Sequence, residues 1–170
     1  MPGIFPEEWK CCKVVPLYEQ GERADMNNYR PIWIIPVMAK VFERIIYDQL
    51  YAYLSDNNMI TTYQSGFRSL HSTATALLEA TNSWAYNIDG GNLNAVVFLD
   101  LKKAFDTVDH EILLSKLSTY GIHGNSLEWF KSYLDNPQQI CFVNGALCAN
   151  CPLNCGVSQG TILGPLLFLY

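Results

Sequence analysis

One short run constrains this chain more than any other: Asn94-Ala-Val-Val-Phe-Leu-Asp100-Leu. It is continuous, apolar and rich in β-branched and aromatic side chains. It is also far shorter than the roughly 20 residues that cross a bilayer as a helix. Such a run predicts a strand buried on both faces. A strand of that kind needs a sheet around it and helices over it. Asp100 closes the run. A carboxylate at the end of a buried strand is costly unless it is paired, hydrogen-bonded or metal-bound.

The rest of the chain supplies what such a sheet requires. Lys13-Val-Val-Pro-Leu-Tyr and Arg30-Pro-Ile-Trp-Ile-Ile-Pro36 read as extended runs around a polar turn, hence a hairpin or adjacent strands. After Pro36, the residues Val37, Val41, Phe42, Ile45, Ile46, Leu50, Tyr53 and Leu54 recur at helical spacing, and Asp56-Asn57-Asn58 ends the helix. Ser72 is a natural N-cap for a second helix carrying Leu77, Leu78, Trp84 and Ile88, stopped at Gly90-Gly91. Two short helices are expected near Glu111–Tyr120 and Ser126–Leu134. Asn144-Gly145, between Gln138–Val143 and Ala146–Ala149, has the signature of a type I′ hairpin.

Composition narrows the class further. Apolar residues make up 49% of the 170 and charged residues 16%, which excludes a disordered chain. The N-terminal residues have neither a basic flank nor a long apolar segment, so the expectation is a protein neither secreted nor membrane-spanning. Net charge is −5, and from His71 onward there are four basic and eight acidic residues. That is a poor general nucleic-acid surface, although clustered acids suit a divalent cation. Cys148, Cys151 and Cys155 are spaced too loosely, with no neighbouring His, to favour zinc, and they read as thiols.

Four segments carry candidate chemistry. Asp100 is followed by Asp106, Asp109 and Glu111, where one or two carboxylates are enough to anchor Mg²⁺. The alternative for Asp106 and Asp109 is helix capping, which is preferred for Asp109. Gly156-Val-Ser-Gln159-Gly160 can bring backbone close to a ligand and present the Gln159 amide. Arg30 in Asn28-Tyr-Arg-Pro-Ile and Arg68 in Gln64-Ser-Gly-Phe-Arg can each fork onto a phosphate. A surface ion pair or a packed side chain remains the alternative for both arginines.

These segments occur in a fixed order: Asn28-Tyr-Arg-Pro-Ile, Gln64-Ser-Gly-Phe-Arg, Phe98-Leu-Asp-Leu-Lys-Lys-Ala-Phe-Asp-Thr-Val-Asp-His110, then Gly156-Val-Ser-Gln-Gly-Thr-Ile-Leu-Gly-Pro165. Together they resemble the successive motifs of reverse transcriptases of non-LTR retrotransposons, in a jockey-like lineage. The resemblance implies the α+β right-hand polymerase fold, truncated before the catalytic Asp-Asp hairpin and thumb: fingers over 1–92 and a partial palm over 93–170, with an antiparallel palm sheet packed on helices, in a protein of nucleus or cytoplasm. It implies RNA-directed DNA synthesis with an RNA template, a DNA primer and deoxynucleoside triphosphates. Two Mg²⁺ ions, or Mn²⁺ in their place, would serve the reaction. By resemblance Asp100 binds both metals and the Leu101 backbone carbonyl is a secondary contact. Phe105 lies under the sugar, and Gln159 and Gly160 position nucleotide and template base. Arg30 holds the triphosphate and Arg23 is a second phosphate contact. Arg68 takes a structural or template-side role, and His110 orients the Asp100 loop.

Departures from the family pattern set further expectations. The sequence contains no aromatic-x-Asp-Asp element, and it ends in the apolar run Thr161–Tyr170, so a fragment without polymerase activity of its own is expected. Trp33 stands where relatives usually have Ser, Glu19 where many have Lys, and Ser158 where Pro is common. The alternative is a non-catalytic remnant of a retrotransposon, or a module that only binds RNA or protein.

Overall fold

The hairpin forms where the prolines and the polar turn place it. Strand β1 (Cys11–Tyr18) pairs antiparallel with β2 (Tyr29–Ile34), in a register that sets Leu17 opposite Arg30 and Val14 opposite Trp33. Alternation along the strands turns Cys12, Val14, Trp33 and Ile35 inward, where they are buried. Lys13, Leu17, Arg30 and Ile34 lie on the other, exposed face. A computed structural model describes residues 3–143, 146–148, 151–153 and 155–169.

Within these residues the chain makes two compact units, Met1–Tyr53 with Lys103–Tyr170, and Leu54–Lys102. In the first unit, β3 (Gln138–Val143) lies along the free edge of β1 and runs parallel to it, Cys11 opposite Gln138 and Val14 opposite Cys141. Its other edge carries β4 (Ala146–Leu147) and β5 (Cys151–Pro152), both antiparallel. Within 93–170 the strand pairs are antiparallel, and it is the parallel β1–β3 pairing that makes the sheet as a whole mixed. The reason is topological: a hairpin occupies one side of β1, and the other side is filled by a strand that returns after a long helical crossover, which favours parallel pairing. The flanks of Asn144-Gly145 pair as a tight hairpin requires, Val143 opposite Ala146. The turn itself, Asn144-Gly145, lies outside the described residues, as does Ala149.

Helix α1 (Val37–Asp56) begins where Pro36 frees it and ends at Asn58, which has a positive φ. Its buried line is Ala39, Glu43, Leu50 and Leu54, with Phe42 and Ile46 half-buried. The expected stripe is thus shifted: Val37, Val41 and Ile45 are exposed, and a glutamate takes an inward position. Helices α3 (His110–Thr119) and α4 (Asn125–Leu134) bury Leu113, Leu117, Trp129, Phe130 and Leu134. Asp109 caps α3 by accepting from the Ile112 N–H at 2.9 Å, as read from the sequence. Phe5 lies edge-on to Trp9, Trp129 and Tyr133 at centroid distances of 5.8, 5.7 and 5.1 Å, an aromatic cluster that ties the N-terminal segment to α4. Short α5 (Leu163–Phe168) buries Leu163, Leu166 and Leu167.

The second unit contains α2 (Thr73–Asp89). Its N-terminus has the expected Ser72 cap, reinforced by Thr75 in a reciprocal box, and Gly90 follows its end. No residue of α2 is fully buried. The run 94–101, expected as a buried strand, is neither strand nor helix, and Phe98 and Leu99 are 85% and 89% exposed. Its start is held by side-chain bonds: Asn87 donates to Asn94 Oδ1 at 2.8 Å, and Asn94 donates to the Trp84 carbonyl at 2.9 Å. The unit holds no strand among its described residues, so the run has no ladder within it. No helix among the described residues is long and apolar enough to cross a membrane.

Candidate functional site

The turn end of the hairpin sets three cations, Arg23, Arg30 and Lys103, among three acids, Glu19, Glu22 and Asp25. Arg30 opens β2 and reaches the Glu19 carboxylate at 2.5 Å, with both side chains roughly half exposed. Glu19, the departure noted in the sequence, is thus the counter-ion of the candidate phosphate-binding arginine. A guanidinium has five N–H donors, so one carboxylate leaves Arg30 with capacity for more. Arg23 lies in the turn with its guanidinium 5.0 Å from the Tyr18 ring centroid. The Tyr29 hydroxyl donates to the Arg23 carbonyl at 2.8 Å, which fixes the turn on the strand. Lys103 adds a cation that sequence reasoning missed: its Nζ donates to Asn27 Oδ1 at 3.3 Å. The signal was present in the lysine pair of Leu101-Lys-Lys-Ala.

The glycine loop docks on the edge of the same strand. The Trp33 N–H donates to the Gln159 carbonyl at 2.8 Å, so the loop covers a free edge of β2. Gly160 has φ +99°, and a Cβ there would sit 2.8 Å from the Trp33 carbonyl oxygen. A side chain cannot be placed without moving strand or loop, which is the physical reason for glycine. Trp33 itself is buried and accommodated in the core.

The loop is joined to the segment after Asp100 as well. Val157 N–H donates to the Phe105 carbonyl and Gly156 N–H to the Val108 carbonyl, each at 2.8 Å. His110 Nε2 lies 2.7 Å from the Gly156 carbonyl. A carbonyl only accepts, so Nε2 carries the proton. His110 thereby ties the start of α3 to the glycine loop. The Phe105 ring stacks on Phe168 of α5, centroids 4.4 Å apart, which sets its orientation from below. Asp106 sits at the junction, where burial raises its carboxyl pKa and Lys103 opposes the shift.

Glu43 was not read from the sequence as a site residue. It is 1% exposed. Its Oε2 accepts from the Ile162 and Leu163 N–H groups at 2.7 and 3.2 Å, and its Oε1 accepts from the Tyr133 hydroxyl at 2.9 Å. Burial raises its pKa, against the pull of those donors and of Lys40. The same burial, with Cys11 and Glu43 nearby, pushes the Cys12 thiol up to about 12, so it stays protonated at neutral pH. The sequence signal for Glu43 was a charge in register with Ala39, Ile46 and Leu50 on one helix face.

The first unit therefore brings Arg23, Arg30, Phe105, Asp106, Gln159 and Gly160 into one connected framework. Asp100, Leu101 and Arg68 belong to the second unit. Asp100 is exposed and ends an irregular segment, not a buried strand, so the burial cost argued from the sequence does not apply. Arg68 donates to the Thr61 carbonyl at 3.0 Å and holds a turn. Among the described residues no three His, Cys, Asp or Glu side chains come together as a metal-ligand group.

Residues 19–170 match the reverse transcriptase (RNA-dependent DNA polymerase) family. The chain is 30% identical over 98% of its length to the RNA-directed DNA polymerase from mobile element jockey of Drosophila melanogaster. It is 29% identical over 97% to a probable RNA-directed DNA polymerase from transposon BS of the same species. A retrovirus-related Pol polyprotein from the type-1 retrotransposable element R2 of Popillia japonica is 26% identical over 98% of the chain. The chain spans 18% of the length of the jockey and BS proteins.

Proposed function

The chain belongs to the reverse transcriptase family, and from that membership we propose that it is the nucleotide-holding portion of a non-LTR retrotransposon RNA-directed DNA polymerase. In this reading 1–92 act as fingers and 93–170 as a partial palm. The observation that carries it is the joint at β2: the Gln159–Gly160 loop is hydrogen-bonded to Trp33, three residues along the strand from Arg30. A triphosphate laid along the hairpin end would meet Arg30, Arg23 and Lys103. Charge-assisted forks from arginine suit such a polyanion. The Gln159 amide and the bare Gly160 backbone would then face base and sugar, with Phe105 setting the floor of the pocket.

The wider activity is part of the same proposal: extension of a DNA primer on an RNA template, with deoxynucleoside triphosphates as substrates. Mg²⁺, or Mn²⁺ in its place, would bind at Asp100 and the Leu101 carbonyl and supply charge neutralisation for phosphoryl transfer. What this chain's own residues would do is bind and orient the triphosphate. The 170 residues alone are proposed not to extend a primer.

Primer extension tests this directly. In a longer element protein carrying this segment, Asp100→Ala should abolish extension, and Arg30→Ala should raise the triphosphate KM by about tenfold or more, the scale of a lost charged hydrogen bond. Undiminished extension by Asp100→Ala would refute the assignment, as would extension by the 170-residue chain itself.

A further inference from the structure

We propose that Glu43 is a positioning residue for the nucleotide loop, a role that rests on the reading of Gln159–Gly160 as that loop. Its carboxylate is buried, is attached to the Ile162 and Leu163 amides and the Tyr133 hydroxyl, and forms no ion pair among the described residues. A buried anion without a salt bridge is an expensive way to hold a six-residue helix in place. Apolar packing of Leu163, Leu166 and Leu167 already seats α5. What the carboxylate adds is direction.

Ile162 lies two residues after Gly160, and the intervening backbone is internally braced. The Thr161 hydroxyl donates to the Ser158 carbonyl at 2.9 Å and accepts from the Gly164 N–H at 3.0 Å. Ser158 to Gly164 therefore moves as one piece. That piece has two anchors, the Trp33 N–H at Gln159 and the Glu43 carboxylate at Ile162 and Leu163. Both anchors belong to the continuous segment 33–43, directly after Arg30. One stretch of β2 and α1 thus fixes the loop and the phosphate-binding arginine in a common frame. Beside the Val157–Phe105 bond before this piece and the packing of Leu163 within it, Glu43 adds two amide bonds that set the direction in which the loop leaves β2.

The test is backbone amide exchange on the 170-residue chain, compared among wild type, Glu43→Asp, Glu43→Gln and Tyr133→Phe. Asp keeps the charge but withdraws the oxygens by one methylene. It should speed exchange over 156–164 by about tenfold or more while β1 and α3 change little, as expected when bonds to a charged acceptor are lost locally. Gln can still accept from both amides and should restore protection to within about threefold of wild type. Tyr133→Phe leaves both amides bonded and should have an effect smaller than that of Asp. Unchanged protection over 156–164 in Glu43→Asp would overturn the proposal, as would a uniform rise across β1, α3 and the loop. In the longer polymerase, Glu43→Asp should raise the triphosphate KM by about fivefold with kcat within about twofold, because placement is lost and chemistry is not. If the exchange pattern holds but KM does not move, Glu43 positions the loop and the loop does not hold nucleotide. That outcome separates failure of the functional reading from failure of the inference.

Discussion

Two runs of similar length, 94–101 and 138–143, have opposite fates in this molecule. Ala-Val-Val-Phe-Leu is the more apolar run and lies outside any strand, with its side chains exposed. Gln-Gln-Ile-Cys-Phe-Val carries two amides at its start and forms β3. The difference is the partner. The open edge of β1 receives β3 over four residue pairs, and β4 and β5 close its far side. The first run has no ladder in its own unit. Apolar composition supplies the incentive to be a strand, and hydrogen-bonded edges supply the means. The same contrast separates the two units: Met1–Tyr53 with Lys103–Tyr170 has a packed core, while α2 in Leu54–Lys102 buries no residue fully.

Truncation at the two kinds of position sharpens that contrast most. Leu117 is fully buried, and Leu117→Ala should cost about 2–5 kcal/mol in chemical denaturation. Phe98 is 85% exposed, and Phe98→Ala should stay within about 0.5 kcal/mol. A large loss for Phe98→Ala would mean that the run is buried in solution, and the comparison would break.

A smaller effect is expected at two glycines with positive φ. Gly160→Ala brings a Cβ to 2.8 Å from the Trp33 carbonyl oxygen, whereas Gly91→Ala meets nothing within 4 Å. The first should cost about 1–3 kcal/mol from strain and displacement of the loop, and the second about 1 kcal/mol from backbone conformation alone. Equal losses would show that the loop yields to the added carbon and is not held against β2.

The smallest effect is a dependence on pH. Burial raises the Glu43 pKa, so the folded chain holds that proton to higher pH than the unfolded chain. Stability from this group is greatest below the unfolded value of about 4.3 and is lost as pH rises through the folded pKa. Asp106, also raised, adds a slope of the same sign. Glu43→Gln removes the Glu43 part, so its melting temperature relative to wild type should climb with pH. A gap independent of pH would contradict the raised pKa.

Much of the first unit was legible in the sequence because its signals are local. Prolines and a polar turn set the hairpin and Asp109 caps α3, whereas the close approach read at the glycine loop as one to a ligand is, at Gly160, an approach to the Trp33 backbone. The parallel β1–β3 pairing was not legible, since it joins residues more than a hundred positions apart with no local mark. Glu43 was hidden for a related reason: a charge on a helix reads as solvent-facing until the amides of α5 arrive opposite it. The pairing of Glu19 with Arg30 was half visible, as an acid where a base is common, and only the hairpin register made it an ion pair.

The first unit is proposed to hold the triphosphate through Arg30 beside the glycine loop. Equilibrium binding of a deoxynucleoside triphosphate to the purified chain tests it, with Arg30→Ala and Arg68→Ala as the pair of variants. Arg30→Ala should weaken binding by about tenfold or more, the cost of one charge-assisted contact. Arg68→Ala, which removes only a bond to the Thr61 carbonyl, should stay within about twofold. Equal losses at the two arginines, or wild-type affinity in Arg30→Ala, would contradict the account.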